Sequence, residues 1–228
     1  MNILDLARQI SDELALTRPV TLFGSHNEGD TTDIKFRVAF TKVINHLAGA
    51  YAWGVLKERV QLQASVGVPL PMPTDFKRLV PDTIYDVGAR RLLVPVSPSQ
   101  HTQMLRYPGI GLWRFYLTGK VMRFAPTYAP LVSFEYVTKN VGTNAVGAKI
   151  MAFTADSDTP IFDDDLMLRG LAWSMRENER LDSASEFQLF QHTIADAIKM
   201  DNGGNVVRSM ATNTLLEPPL PTVTGWQF

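Results

Sequence analysis

The densest set of reactive side chains in the chain is acidic: Asp156 and Asp158, then Asp163, Asp164 and Asp165. Its Asp-x-Asp opening has the spacing of a calcium loop, in which neighbouring carboxylates offer hard oxygen ligands to the ion. Such a loop also needs a glycine at its sharp turn and a terminal glutamate that binds through both oxygens, and this run has neither. Paired carboxylates serve glycoside hydrolysis as acid and base or nucleophile, but nothing here singles out one pair. Asp163 to Asp165 ahead of a helix complement the positive end of its dipole, and helix capping together with solvation accounts for the run.

The other reactive types are thinly spread. His26, His46, His101 and His192 stand far apart, and none forms an i, i+4 pair with another ligand type, so no zinc site is expected. The 228 residues include no cysteine, which excludes disulfides, thiolate nucleophiles and Cys-based metal centres. Neither phosphate-cradling glycine spacing nor a GxSxG elbow occurs, so neither a nucleotide cofactor nor a serine nucleophile has an anchor. The expectation is a protein that is not an enzyme and holds no cofactor or metal. Two groups remain that suit contact with a partner. Trp113, Phe115, Phe124, Phe134 and Tyr136 lie on strand-like runs, where they either stack bases or sugars or fill a β core. Arg90 and Arg91 lie between two strand-like runs, as a solvated turn or a contact to DNA phosphates.

These side chains are carried by elements that the periodicity outlines. Asn2 caps a first helix to about residue 14, with Ile3, Leu6, Ile10 and Leu14 on one stripe. Residues 17–32 have loop composition, and Asp33 opens a second helix to about Ala50, with Phe36, Phe40, Val43 and Leu47 facing one way. After Gly54 the period changes to two. Val60, Leu62, Ala64 and Val66 alternate with polar residues over 59–66, and further strands are expected at 83–86, 92–96, 113–118, 121–125 and 132–139. Asp86 to Ala89 reads as a turn, and Gly119-Lys120 as the turn of a hairpin. Ser97, Pro98 and Gln100 form the start signal of a short helix, a capping box with proline at its first position. A helix from the acidic run to about Arg180 shows a stripe of Leu168, Leu171, Ala172 and Met175. A last one, with Ser183 and Glu186 as capping box, shows Phe187, Phe190, Ile194 and Ile198.

Hydrophobic content of 45% and charged content of 20% are those of a globular protein. The net charge of −1 gives no overall reason to bind nucleic acid or an anionic membrane. The first residues lack the basic start and unbroken apolar core of a signal peptide, and no run approaches a membrane span, so a soluble protein made in a reducing cytoplasm is expected. The fold expected is α+β: a four-helix core bundle (1–54 and 161–202), a β-rich insertion between the second and third long helices (55–160), and an extended C-terminal tail (203–228). In the tail Pro218, Pro219 and Pro221 oppose regular structure, while Leu215, Leu216, Leu220, Trp226 and Phe228 are of buried type. Such side chains either fold back on the domain or dock on another chain.

With these segments in hand, the chain resembles the head-to-tail adaptor (head-completion or connector) proteins of tailed bacteriophages, above all the short-tailed type. The resemblance covers about residues 36–201. It is carried in order by Leu70-Pro-Met-Pro-Thr-Asp-Phe76-Lys-Arg-Leu, Thr83-Ile-Tyr-Asp86, Arg90-Arg-Leu-Leu-Val94 and Pro95-Val-Ser-Pro-Ser-Gln100. It continues in Phe134-Glu-Tyr-Val-Thr-Lys139, Phe153-Thr-Ala-Asp-Ser-Asp158, Asp165-Leu-Met-Leu-Arg-Gly-Leu-Ala-Trp173 and the closing amphipathic helix. The resemblance implies a structural virion protein at the head–tail junction, monomeric until it meets the portal protein and then a ring of about twelve copies. That ring would extend the DNA channel, let the genome pass without sequence specificity and offer a platform to tail or nozzle proteins. It implies no catalytic residue. On this reading the tail residues are candidates for docking on the portal, and Arg90 and Arg91 for contact with a neighbouring subunit or DNA. The alternative is a binding module that recognises a carbohydrate or host surface through its strand aromatics.

Overall fold

A computed structural model describes residues 1–24, 31–107 and 113–201. Its helices are α1 (Ile3–Glu13), α2 (Thr32–Ala50), α3 (Pro98–Arg106), α4 (Asp164–Asn178) and α5 (Ala184–Asp201), with a 3-10 turn at Gly54–Leu56. Among the described residues twelve short strands lie between the second and fourth of these helices: β1 (Lys57–Gln63), β2 (Leu70–Pro71), β3 (Phe76–Leu79), β4 (Tyr85–Asp86), β5 (Arg91–Leu92), β6 (Val94–Pro95), β7 (Arg114–Thr118), β8 (Val121–Arg123), β9 (Leu131–Thr138), β10 (Gly142–Thr143), β11 (Lys149–Ile150) and β12 (Thr159–Pro160).

Local chemistry starts the helices where their flanking residues allow it. Asn2 Oδ1 accepts a hydrogen bond from Asp5 N at 2.8 Å at the head of α1. The Ser97–Gln100 capping box closes in both directions at α3, with Pro98 in its first turn. Asp163 Oδ1 accepts from Asp165 N at 2.9 Å and so caps α4. At α5 the Asp182 carboxylate accepts from Ala184 N at 3.0 Å, while Glu186 pairs with Arg176 of α4 at 3.3 Å.

The expected four-helix core bundle is not there. α1, α2 and α5 each pack against α4 more than against one another, so α4 occupies the interior that a bundle would leave for side chains. The reason lies in α4 itself. Leu166, Met167 and every residue from Gly170 to Met175 are buried, so its apolar surface runs most of the way round and must be covered on several sides. The stripe expected through Leu168 is displaced, and Leu168 is only half-buried. Gly170 sets the closest approach: a Cβ there would lie 2.5 Å from Val43 Cγ1 and 3.0 Å from the Phe190 ring. α2 and α5 therefore both rest on a position without a side chain. The class remains roughly α+β, with twelve short strands in three sheets among the described residues where six strands were expected.

The strands form three sheets. One runs β1-β9-β4-β5 with β3 also on β9, one runs β2-β8-β7-β6, and a small one runs β11-β10-β12. All pairs are antiparallel except β6 with β7. β1 begins two residues before the expected strand and ends at Gln63. Beyond it Ser65 and Val68 bridge across a turn in which Gly67 has φ +70°, which leaves Val66 exposed.

Strand β9 joins two hydrophobic cores. Val132, Phe134 and Tyr136 point into a β core with Leu70, Met72, Phe76, Ile84, Phe115 and Met122. Val137, on the opposite face as strand alternation requires, belongs to the helical core with Phe36, Phe40, Trp53, Leu56, Met167 and Phe190.

Candidate functional site

The acidic run is built into the framework. Asp156 Oδ1 accepts from Leu22 N at 2.8 Å and Phe23 N at 3.1 Å, and its Oδ2 from Thr21 Oγ1 at 2.5 Å. Asp158, 1% exposed, accepts from Thr154 N at 2.7 Å and Ala155 N at 3.0 Å. Its carbonyl also receives Ile3 N, the first amide of α1. Asp164 pairs with the Met1 amino group at 3.0 Å. The run thus ties the N-terminal segment to the head of α4. Among the described residues no group of three or more His, Asp or Glu side chains is placed to hold a metal ion.

Two of the described histidines have structural surroundings, and His192 is exposed. His46 lies 5.5 to 6.0 Å from the rings of Trp173, Phe187 and Phe190, and its Nε2 is 3.0 Å from Gln191 Nε2. His101 on α3 stacks on Tyr116 at 4.9 Å. His26 lies outside the described residues.

Four of the five strand aromatics are interior: Phe115, Phe124, Phe134 and Tyr136 are buried, and Trp113 is half-buried beneath the Arg91 guanidinium, 4.3 Å from its ring centroid. They form no exposed stacking platform. Two carboxylates, Asp86 buried and Asp75 half-buried, serve the tyrosines beside them. Asp86 accepts from Gly88 N at 2.8 Å, from Ala89 N at 3.1 Å, and from the Tyr128 hydroxyl. Asp75 accepts from the Tyr136 hydroxyl at 3.1 Å. Burial first, and then the carboxylate each one faces, pushes both phenols above the usual tyrosine range.

Arg90 and Arg91 follow from that geometry. Asp86 shapes the turn through Gly88 and Ala89, Arg90 takes a left-handed φ of +52°, and β5 begins at Arg91. Both arginines are exposed. Leu93 is buried, so strand alternation turns Leu92 and Val94 outward, and Arg114 sits beside Val94 across the β6–β7 pair. The result is an apolar ridge set among arginines.

Cations gather elsewhere in the β region too. Burial and then neighbouring Arg78 lower the Lys77 ammonium from its usual range. Lys139 is lowered chiefly by the Lys120 ammonium beside it, and His101 by burial and then Arg123. A like charge held this close weakens the hold of Lys77, Lys139 and His101 on their protons, because each proton is bound against a field of its own sign.

A second surface lies on the helical side, and the periodicity did not point to it. A cleft of about 530 Å3 opens between the head of α4, the last turns of α5 and the segment at Trp53. Phe162 and Leu166 are buried in it, Val55 and Met200 stand exposed at its edge, and Asp163, Asp165, Asp196 and Asp201 line it. Asp201 also accepts from Gly54 N at 2.9 Å, which holds the end of α5 against the 3-10 turn. One signal was available: Met200 is a large apolar residue off the Phe187–Phe190–Ile194–Ile198 stripe. Leu215, Leu216, Leu220, Trp226 and Phe228 lie outside the described residues.

No known protein-family model matches the chain, and a search of curated proteins finds no match either. Among the described residues no helix is long and apolar enough to cross a membrane.

Proposed function

We propose that the chain is a structural virion protein, a head-to-tail adaptor that assembles as a ring under the portal. The ring extends the DNA channel and carries the tail, and no reaction is catalysed. The observation that supports this most is what the resemblance blocks do in the fold. Their distinctive residues are joints: Asp86 fixes the turn before β5, and Ser97 with Gln100 starts α3. Asp156 and Asp158 hold the N-terminal segments, and Gly170 lets α2 and α5 close on α4. Asp156 and Asp158, the acidic residues of those blocks whose spacing invited a metal reading, accept hydrogen bonds from the protein's own backbone. A fold stiffened in this way, with apolar and charged surfaces left outside, suits a part that works by fitting other parts.

The partners proposed are the portal above, tail or nozzle proteins below, and further copies of the chain at the sides, with DNA passing through. Imaging the full chain mixed with purified portal rings by electron microscopy tests the reading. A ring of added density beneath the portal is expected, and portal rings left bare at saturating protein would sink it.

A further inference from the structure

Charge is unevenly divided along the chain. Residues 55–160 carry twelve Lys and Arg against seven Asp and Glu, and residues 161–201 carry four against nine. The local surfaces follow the same division. In the aspartate-lined cleft, Arg169 stands 3.9 Å from Asp165 and Lys199 2.7 Å from Asp196, so two of its four carboxylates are partly offset and a negative surplus remains. Val55 and Met200 at its edge are 54% and 81% exposed. On the β side, Leu92 and Val94 are each 57% exposed and stand among Arg90, Arg91 and Arg114. One surface is an apolar hollow edged with carboxylates, and the other an apolar ridge edged with guanidinium groups.

We propose that the cleft of one copy receives the β5–β6 ridge of a second copy. Leu92 and Val94, two residues apart on an extended chain, stand about 7 Å from each other, a spacing that sets both into one hollow. The arginines beside them then face the four aspartates of the cleft, Asp163 and Asp201 as well as the partly offset Asp165 and Asp196, where water is partly excluded and unlike charges attract more strongly than in bulk. The ridge and the cleft are different patches, so the contact is heterologous and a joined pair retains one free cleft and one free ridge. Copies therefore add head to tail, and they close into a ring where the rotation per step allows it. The contact stands on charge and shape. Only its closure rests on the ring reading above.

The absence of cysteine from the natural sequence makes the test direct. The full chain carrying both Leu92→Cys and Met200→Cys is oxidised at high protein concentration. A reducible ladder of dimers, trimers and longer products is expected, whereas either single-cysteine variant stops at dimers. A pair of Leu92→Cys with Gln9→Cys, on exposed α1 surface, measures random collision. Adding Arg90→Glu and Arg114→Glu should slow the ladder about tenfold, and adding Asp165→Lys and Asp196→Lys to that variant should restore much of the rate. Thermal melts of each variant exclude misfolding as the cause.

A ladder no faster than the Gln9→Cys control overturns the proposal, as does one indifferent to both charge reversals. If the arginine reversals abolish retention on DNA and leave the ladder unchanged, the ridge is a nucleic-acid surface and the proposal fails. A ladder that fails while portal rings still gain density removes this contact and leaves the adaptor reading in place. A ladder that forms while portals stay bare does the opposite.

Discussion

The helical core and the β core are built on opposite solutions to close packing. Around α4 the helices approach one another over Gly170, where the absence of a Cβ lets Val43 and Phe190 fill the space. Between the two larger sheets the interior is filled by aromatic rings from alternate strand positions, and its polar members are tyrosine–carboxylate pairs. The helical core is therefore intolerant of added volume at Gly170, and the β core of a lost hydroxyl at Tyr128 or Tyr136, while both depend on buried rings. β9 belongs to both, through Phe134 on one face and Val137 on the other.

The largest effect is expected from emptying the β core. Phe134→Ala removes a ring with no exposed surface and should cost about 3–5 kcal/mol in denaturant unfolding. Because β9 is shared, far-UV and near-UV signals should still change together. A β-region transition that precedes loss of the helical signal would show the two cores to be independent. Next is Gly170→Ala. Better helix propensity favours the variant by about 1 kcal/mol, while overpacking against Val43 and Phe190 opposes it by about 1–3 kcal/mol. A net loss of stability is expected, and a gain would mean that α2 and α5 can move off α4 freely.

Tyr128→Phe sharpens the other side of the comparison. It takes one hydrogen-bond donor from Asp86, which is 3% exposed, and should cost about 1–2 kcal/mol at neutral pH. The pH dependence has a definite sign. Both phenols titrate higher in the folded chain than in the unfolded one, so their contribution is complete below the ordinary tyrosine pKa of 10.0 and is lost as pH rises beyond it. The denaturation midpoint of the natural protein should fall between about pH 10 and 11. It should fall less steeply once Tyr128 and Tyr136 are both phenylalanine, and an unchanged slope would refute the assignment. The smallest effect on the fold is expected from deleting residues 215–228. The thermal midpoint should stay within about 2 °C while docking to portal rings is lost. A large drop in the midpoint would mean instead that these residues pack on their own domain.

Much of the local structure was legible because it depends on neighbours in the chain. Asn2 as a cap, the Ser97–Gln100 box and the Asp86 turn are decided within four residues. The α2 stripe of Phe36, Phe40, Val43 and Leu47 follows from helical period alone. The bundle was misread because a stripe states which face is apolar and not how many elements cover it, and α4 carries buried residues nearly all round. Asp163, Asp164 and Asp165 were placed correctly at a helix head, but the hold of Asp156 on residues 21–23 was invisible, since those amides lie more than 130 positions away along the chain.

The sequence by itself determined where the helices begin, which residues face inward on most of them, and the absence of thiol chemistry, because caps, periods and composition are local or global properties of the string. Only the tertiary structure decided that α4 is the centre, that β9 serves two cores, and that Val55 meets Met200 across a hollow edged with aspartates. Those are matters of which distant segments share a surface. They are settled by the burial of apolar area over the whole chain, a sum that no single stretch contains.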